Sequence, residues 1–182
     1  MLAEDNFGVG IMDKLISEIR DSFEKLRNCD GMLFDCPIEV TADYDARKLH
    51  EVCINHRLAV YFEQKIIPLL PKDEEYFVDT EFNREGINFK NAKIAGRKKR
   101  VRPDIIIHNR KSGNDKKNFL VVECKKSDTD KAKIDYDQQK LKALLKDPEY
   151  SYRFGLQVVY DKDKIEGKLL FWENGVLKIN VL

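Results

Sequence analysis

Nothing in this chain approaches the ~20 consecutive apolar residues of a membrane-spanning helix. Nor does it open with a basic flank followed by an apolar core, so neither a membrane partner nor a secretory leader is expected and the cytoplasm is the default location. The four cysteines, Cys29, Cys36, Cys53 and Cys124, have no Cys-x-x-Cys spacing, so neither a disulfide framework nor an iron–sulfur site is indicated and the thiols are read as reduced. Internal repeats and low-complexity linkers are missing as well. The 182 residues therefore read as a single domain over 1–182, and their 42% hydrophobic content suits a soluble globular protein with a substantial core. An excess of charge is also lacking: the formal net charge is +1, which argues neither for nor against a nucleic-acid partner.

What is present is uneven. Lys90, Lys93, Arg97, Lys98, Lys99, Arg100 and Arg102 form a dense basic run that ends at Pro103-Asp104. Such a run suits phosphate contact, which supplies affinity without sequence information, and it equally suits a solvated loop in a chain that is 36% charged.

Periodicity orders the rest. Ile11, Leu15, Ile16, Ile19, Phe23 and Leu26 recur at helical spacing and predict a first helix from about Gly8 to Arg27. Asp30-Gly31 and Pro37 mark an irregular connection, and Asp43 or Asp45 is placed to cap a second helix from about Ala46 to Ile67, stopped by Pro68 and Pro71. Tyr76 to Phe82 reads as a strand, followed by the basic run as a loop. Two further strands, Val101 to His108 and Phe119 to Lys125, flank a turn at Asn109 to Asn118. A helix from about Asp130 to Lys146 and a strand from Tyr152 to Tyr160 follow. The chain closes with a hairpin, Lys168 to Trp172 and Val176 to Val181, about the turn Glu173-Asn174-Gly175. The order is that of an α/β domain with a central sheet flanked by helices.

Two short motifs stand out within it. Glu-x-Lys triplets occur three times, but only Glu123-Cys124-Lys125 follows a run that reads as a buried strand, Phe119-Leu120-Val121-Val122. Side chains alternate along a strand, so Phe119, Val121, Glu123 and Lys125 are expected on one face and Leu120, Val122 and Cys124 on the other. Pro103 is placed at the start of the preceding strand, where no ladder N–H is needed. If the two strands pair antiparallel, Asp104 and Glu123 meet at one end of the sheet. Charges in a sheet interior need a chemical reason. Phosphodiester hydrolysis supplies one, because a carboxylate-bound Mg²⁺ or Mn²⁺ activates water and neutralises transition-state charge while an ammonium beside them adds a fixed positive charge. The plainer reading is an ion pair of Glu123 with Lys125 at a strand end, with Asp104 in a turn.

Helix, three strands, helix, strand, with Pro103-Asp104 and then Glu123-Cys124-Lys125, resembles the PD-(D/E)XK nuclease superfamily over roughly Glu51 to Tyr160. The resemblance implies a restriction-endonuclease-like core at about 46–160 with a mixed sheet, to which the N-terminal helix and C-terminal hairpin are added. It implies a divalent-metal-dependent nuclease, most simply acting on DNA, with Asp104, Glu123 and the Cys124 backbone carbonyl as ligands of Mg²⁺ or Mn²⁺ and Lys125 as the catalytic lysine. Members often carry a Glu on the helix before the first strand, and here Glu51 matches. Glu63 lies on the same helix but ~120° away, so only one of the two faces a shared metal. Lys93, Arg97, Lys98, Lys99, Arg100 and Arg102 become the nucleic-acid contacts, and a homodimer is compatible with the family. A catalytically inactive nucleic-acid or protein binding module and a ribonuclease are the alternatives.

Other residues carry weaker signals. One branch of the superfamily has Gln and Tyr four apart on the helix after the motif; here Gln138 and Gln139 are followed by Lys142 and Ala143. Gln138, Gln139 and Lys140 are read either as phosphate contacts or as surface helix residues. Lys126 points to the face opposite Lys125. His50, Cys53 and His56 are three apart on a helix but spread over ~120°, with no fourth zinc ligand. His108 shares a strand face with Asp104 and is read as a packed, hydrogen-bonded residue.

Overall fold

Two long helices supply one wall of the fold. A computed structural model describes residues 9–34, 44–82, 84–85, 88–94, 96–111, 113–161 and 163–182. Helix α1 (Val9–Asp30) buries Leu15, Ile19, Phe23 and Leu26, and α2 (Tyr44–Lys65) buries Ile54, Leu58, Tyr61 and Phe62. These three- and four-residue steps put one apolar stripe of each helix against the sheet. Asp45 lies inside α2 and so does not cap it; Asp43, Pro37, Cys36 and Gly8 lie outside the described residues. A 3₁₀ turn at Ile67–Leu69 replaces the last turn expected of α2, with Pro68 within it.

After α2 come β1 (Phe77–Thr80), the two-residue strands β2 (Arg84–Glu85) and β3 (Asn88–Phe89), β4 (Asn91–Ile94), β5 (Arg97–Arg100), β6 (Ile105–His108), β7 (Asn118–Lys126), α3 (Lys131–Lys146), β8 (Phe154–Tyr160), β9 (Ile165–Glu173) and β10 (Val176–Val181). Six strands form one sheet in the order β1-β6-β7-β8-β9-β10, parallel between β7 and β8 and antiparallel elsewhere. The parallel pair is the one whose connection holds α3, as a crossover requires. The result is an α/β structure with a mixed sheet. Among the described residues no helix is long and apolar enough to cross a membrane.

The sheet separates two apolar layers. Ile105, Ile107, Leu120, Val122, Leu156 and Val158 face α1 and α2, whereas Ile106 and Val121 face α3 and the β4–β5 ribbon through Leu141, Leu144, Ala92 and Ile94. Helix α1 crosses β9 so closely that a Cβ on Gly167 would lie 2.9 Å from the Phe23 ring, which would have to shift to admit it. At the β9–β10 turn, Asn174 (φ 50°) and Gly175 (φ 73°) adopt the paired positive φ of a type I′ hairpin, the conformation that Asn-Gly favours. Asp130 caps α3 by accepting from the Ala132 N–H at 2.9 Å.

Three expectations need correcting. The stretch Arg97–Arg100 is not a loop: it is β5, paired antiparallel with β4, and its charged side chains are tolerated because the partner strand supplies the buried Ala92 and Ile94. Phe119 does not share the Val121 face. A bulge lets Ile107 pair with Leu120 and His108 with Asn118, so Phe119 is the unpaired residue and its ring packs in the α1–α2 layer, 5.3 Å from that of Phe154. Strand β6 begins at Ile105, so the buried Pro103 and the half-buried Asp104 lead into it rather than belong to it.

Candidate active site

Strand pairing alone brings the two motifs together. Ile105 lies opposite Val122, which sets Asp104 beside the end of β7 that holds Glu123 and Cys124. The Asp104 N–H donates to the Val122 carbonyl (3.2 Å), and the Cys124 N–H returns to Asp104 Oδ2 (2.7 Å), so the carboxylate itself continues the ladder. The Cys124 side chain is fully buried in the α1–α2 layer, where burial pushes its thiol well up; only its backbone reaches the site. Its carbonyl accepts from Lys125 Nζ at 2.9 Å.

Around this pair stand groups from both helical layers. Glu51 of α2 has Oε1 3.9 Å from Lys125 Nζ, while Asp137 of α3 has Oδ2 3.2 Å from the same ammonium. Lys140, one turn on, places Nζ 2.5 Å from Glu123 Oε2 and 3.2 Å from Asp137 Oδ1. Glu123 and Asp137 are buried, and Glu123 Oε1 has no hydrogen-bond partner among the described residues. Gln157, opposite Glu123 on β8 and also buried, donates Nε2 to the Ile134 carbonyl at 2.7 Å and so ties the first half of α3 to the sheet beneath the cluster.

Asp137 is the residue that sequence reasoning missed, and Lys140 is legible there only as a phosphate contact or a surface residue. The structure removes the surface reading of Lys140: it is largely buried and paired with Glu123. Gln138 is partly buried, 3.5 Å from Gln157 Oε1, and Gln139 is exposed. The available signal was that Asp137 lies four residues before Leu141 on the stripe that buries Leu141, Leu144 and Leu145. A carboxylate on an apolar stripe is a buried polar group awaiting a partner.

The electrostatics follow from the crowding. Burial, then repulsion from Asp104, lifts the Glu123 carboxyl well above the ordinary carboxylate range. Asp104 and Glu51 are raised for the same first reason, against the opposing pull of Lys125. Burial would lower Lys125, but Asp104, Asp137, Glu123 and Glu51 outweigh it and hold its ammonium protonated beyond the ordinary lysine range. Four carboxylates are thus paired directly with only two ammoniums, Lys125 and Lys140, with Lys126 acting on Glu51 as well.

No family model, curated protein or solved structure matches the chain.

The donor set suits a hard divalent cation. It consists of carboxylates and one backbone carbonyl, with a buried carboxylate oxygen on Glu123 that no described residue engages, and Mg²⁺ and Mn²⁺ take oxygen ligands of this kind. As placed, however, no three His, Cys, Asp or Glu side chains among the described residues converge closely enough to hold an ion. Lys140 already occupies one face of Glu123. Glu63 is exposed, whereas Glu51 lies beside Lys125.

The remaining sequence candidates separate from this cluster. His108 is a packed residue at the far end of β6, where its Nε2–H donates to Asp79 Oδ2 at 2.8 Å. Cys53 and His56 are exposed on α2, and the His50 side chain lies outside the described residues. Lys93, Arg97, Lys98, Lys99 and Arg100 all project from the β4–β5 ribbon, and Arg102 is exposed with Nη1 3.3 Å from Glu81 Oε2. Lys90 leaves the basic surface altogether. It is buried, donates to the Tyr152 hydroxyl at 2.7 Å and lies 5.2 Å from the Phe82 ring.

Proposed function

We propose that the chain is a divalent-metal-dependent nuclease of the PD-(D/E)XK type, with a restriction-endonuclease-like core, hydrolysing phosphodiester bonds in DNA. The observation that carries this reading is the gathering of four carboxylates, Glu51, Asp104, Glu123 and Asp137, about the Lys125 and Lys140 ammoniums at one end of the sheet. Burying carboxylates close together is costly, and one divalent cation has the charge that offsets two of them. Asp104, Glu123 and the Cys124 carbonyl would hold the ion, with Glu51 the further candidate.

Bound there, Mg²⁺ or Mn²⁺ would lower the pKa of a water molecule and neutralise charge on the scissile phosphate. The chain's own residues do the rest. Lys125, kept protonated by its neighbours, acts as a fixed cation that orients water and phosphate rather than as a base. The Cys124 N–H fixes one oxygen of Asp104, and Gln157 holds α3 against the sheet so that Asp137 retains Lys125.

A second reading, an inactive nuclease-like binding module, is favoured by the contact of Lys140 with Glu123, which partly neutralises the cluster from within. The deciding experiment incubates purified protein with Mg²⁺ or Mn²⁺ and plasmid, linear duplex, single-stranded DNA and RNA, beside folded Asp104→Ala and Lys125→Ala variants. Cleavage that survives both substitutions removes this site. Cutting of RNA alone turns the assignment to a ribonuclease. Absence of cleavage, with no divalent-metal binding by calorimetry, leaves the binding module.

A further inference from the structure

The basic segment is a shaped surface rather than a diffuse charge. Residues 90–102 contain seven Lys or Arg and no Asp or Glu, so with a net charge of +1 the remainder of the chain is net negative. Within the ribbon, Lys93 lies directly opposite Lys98 and Asn91 opposite Arg100, on the face away from the buried Ala92 and Ile94. Like charges directly across a strand pair are destabilising. Lys93, Arg97 and Lys98 are exposed and meet no carboxylate among the described residues, so the repulsion has no internal remedy. An anion against this face would supply one.

The ribbon is also anchored to α3. Ala92, Ile94 and the adjoining Val101 are buried with Leu141 and Leu144 of α3, and Lys99 Nζ sits 4.9 Å from the Tyr136 ring on the same helix. Two paired strands lie ~4.8 Å apart, and a ribbon of that kind is an element that the ~12 Å-wide major groove of B-DNA admits. The deep, narrow major groove of A-form RNA does not. Its root is at the candidate site. The Glu81 N–H donates to the Asp104 carbonyl (2.9 Å) and the Val101 N–H to the Lys90 carbonyl (3.0 Å), so the segment leaves and rejoins the sheet beside Asp104.

We infer that the β4–β5 ribbon docks its outer face in the major groove of double-stranded DNA, making B-form duplex the substrate class of the nuclease proposed above, on which the word substrate rests. Lys93 and Lys98 face the groove and Arg97, beside the turn, reaches the phosphate backbone. Helix α3 then registers the groove to the chemistry, because it packs against the ribbon and also carries Asp137 and Lys140.

The test measures binding apart from cleavage. Full-length protein in EDTA is titrated by fluorescence anisotropy against a short duplex DNA, one of its strands, and duplex RNA of the same sequence, over a range of salt. The expected result is duplex DNA bound at least ~10-fold more tightly than either competitor, with Lys93→Ala/Arg97→Ala/Lys98→Ala losing ~10-fold or more and lowering the salt slope by about two to three. The triple variant's circular dichroism and melting temperature should match those of the native chain, and Lys93→Arg/Lys98→Arg should retain affinity. Equal affinity for duplex RNA, no binding to any of the three, or a triple variant with native affinity overturns the inference. These outcomes are distinct from failure of the nuclease reading: duplex binding lost in the triple variant with no metal-dependent cutting removes the enzyme and keeps the docking surface. Metal-dependent cutting with an unaffected triple variant does the reverse.

Discussion

Strand β6 has a carboxylate cluster at each end, and the two are built on opposite terms. At the His108 end, Asp79 Oδ2 accepts from His108 (2.8 Å) and from Arg110 Nε (2.9 Å), while Oδ1 accepts from Arg110 Nη2 (2.5 Å). Burial alone would raise Asp79, but those hydrogen bonds prevail and its carboxyl lies below the ordinary value. At the Asp104 end the same strand leads into a cluster where Glu51, Asp104 and Glu123 are all raised and one oxygen of Glu123 is unengaged. The first cluster is complete in itself and stabilises the fold. The second keeps crowded carboxyls and an oxygen that no described residue engages, which is the arrangement expected where a site gives up stability for function.

The two ends of β6 should differ most in activity. Asp104→Ala should lower metal-dependent cleavage by about a thousandfold, roughly 4 kcal/mol of transition-state stabilisation, whereas Asp79→Asn should leave the rate within about twofold. Initial-rate measurements on duplex DNA check both, and comparable losses would erase the distinction between the two ends.

Stability comes next. Lys140→Met leaves Glu123 without its nearest cation and should cost about 3 kcal/mol in urea unfolding without added metal. Glu123→Gln removes a repelled carboxylate and should change stability by under about 1 kcal/mol, or raise it. If Glu123→Gln proves the more destabilising of the two, the cluster is a structural ion network.

Asp79 offers a smaller and pH-dependent contrast. Because its folded pKa is depressed, its stabilisation is present above the unfolded value near 3.8 and is lost as the pH falls through the folded value. Asp79→Asn should therefore cost about 1–2 kcal/mol at pH 7, and the native and variant unfolding curves should converge in acid. A difference that persists at the lowest accessible pH would mean that packing, not charge, is what Asp79 supplies. The smallest expected effect is at Glu63, exposed on α2: Glu63→Ala should alter stability by less than about 0.5 kcal/mol and leave cleavage unchanged, in contrast to Glu51→Ala.

Much of this could be read from residue order. The apolar run before Glu123, the helical stripes of α1 and α2, the Asn174-Gly175 turn and the convergence of Asp104 with Glu123 all follow from local periodicity and turn chemistry. What escaped depends on partners. Arg97–Arg100 has no apolar alternation of its own and becomes a strand only because Ala92 and Ile94 anchor its neighbour. Phe119 changes face through a bulge set by cross-strand register. Asp137 and Lys140 look like an ordinary i,i+3 surface pair until the packing of α3 turns them inward.

The hydrogen bond from the Cys124 N–H to Asp104 Oδ2 has one more consequence. A side chain, rather than another strand, closes the ladder at this point, so breathing of the sheet end and disassembly of the carboxylate cluster are a single event. The exchange rate of one amide proton, that of Cys124, therefore reports how often the whole constellation comes apart.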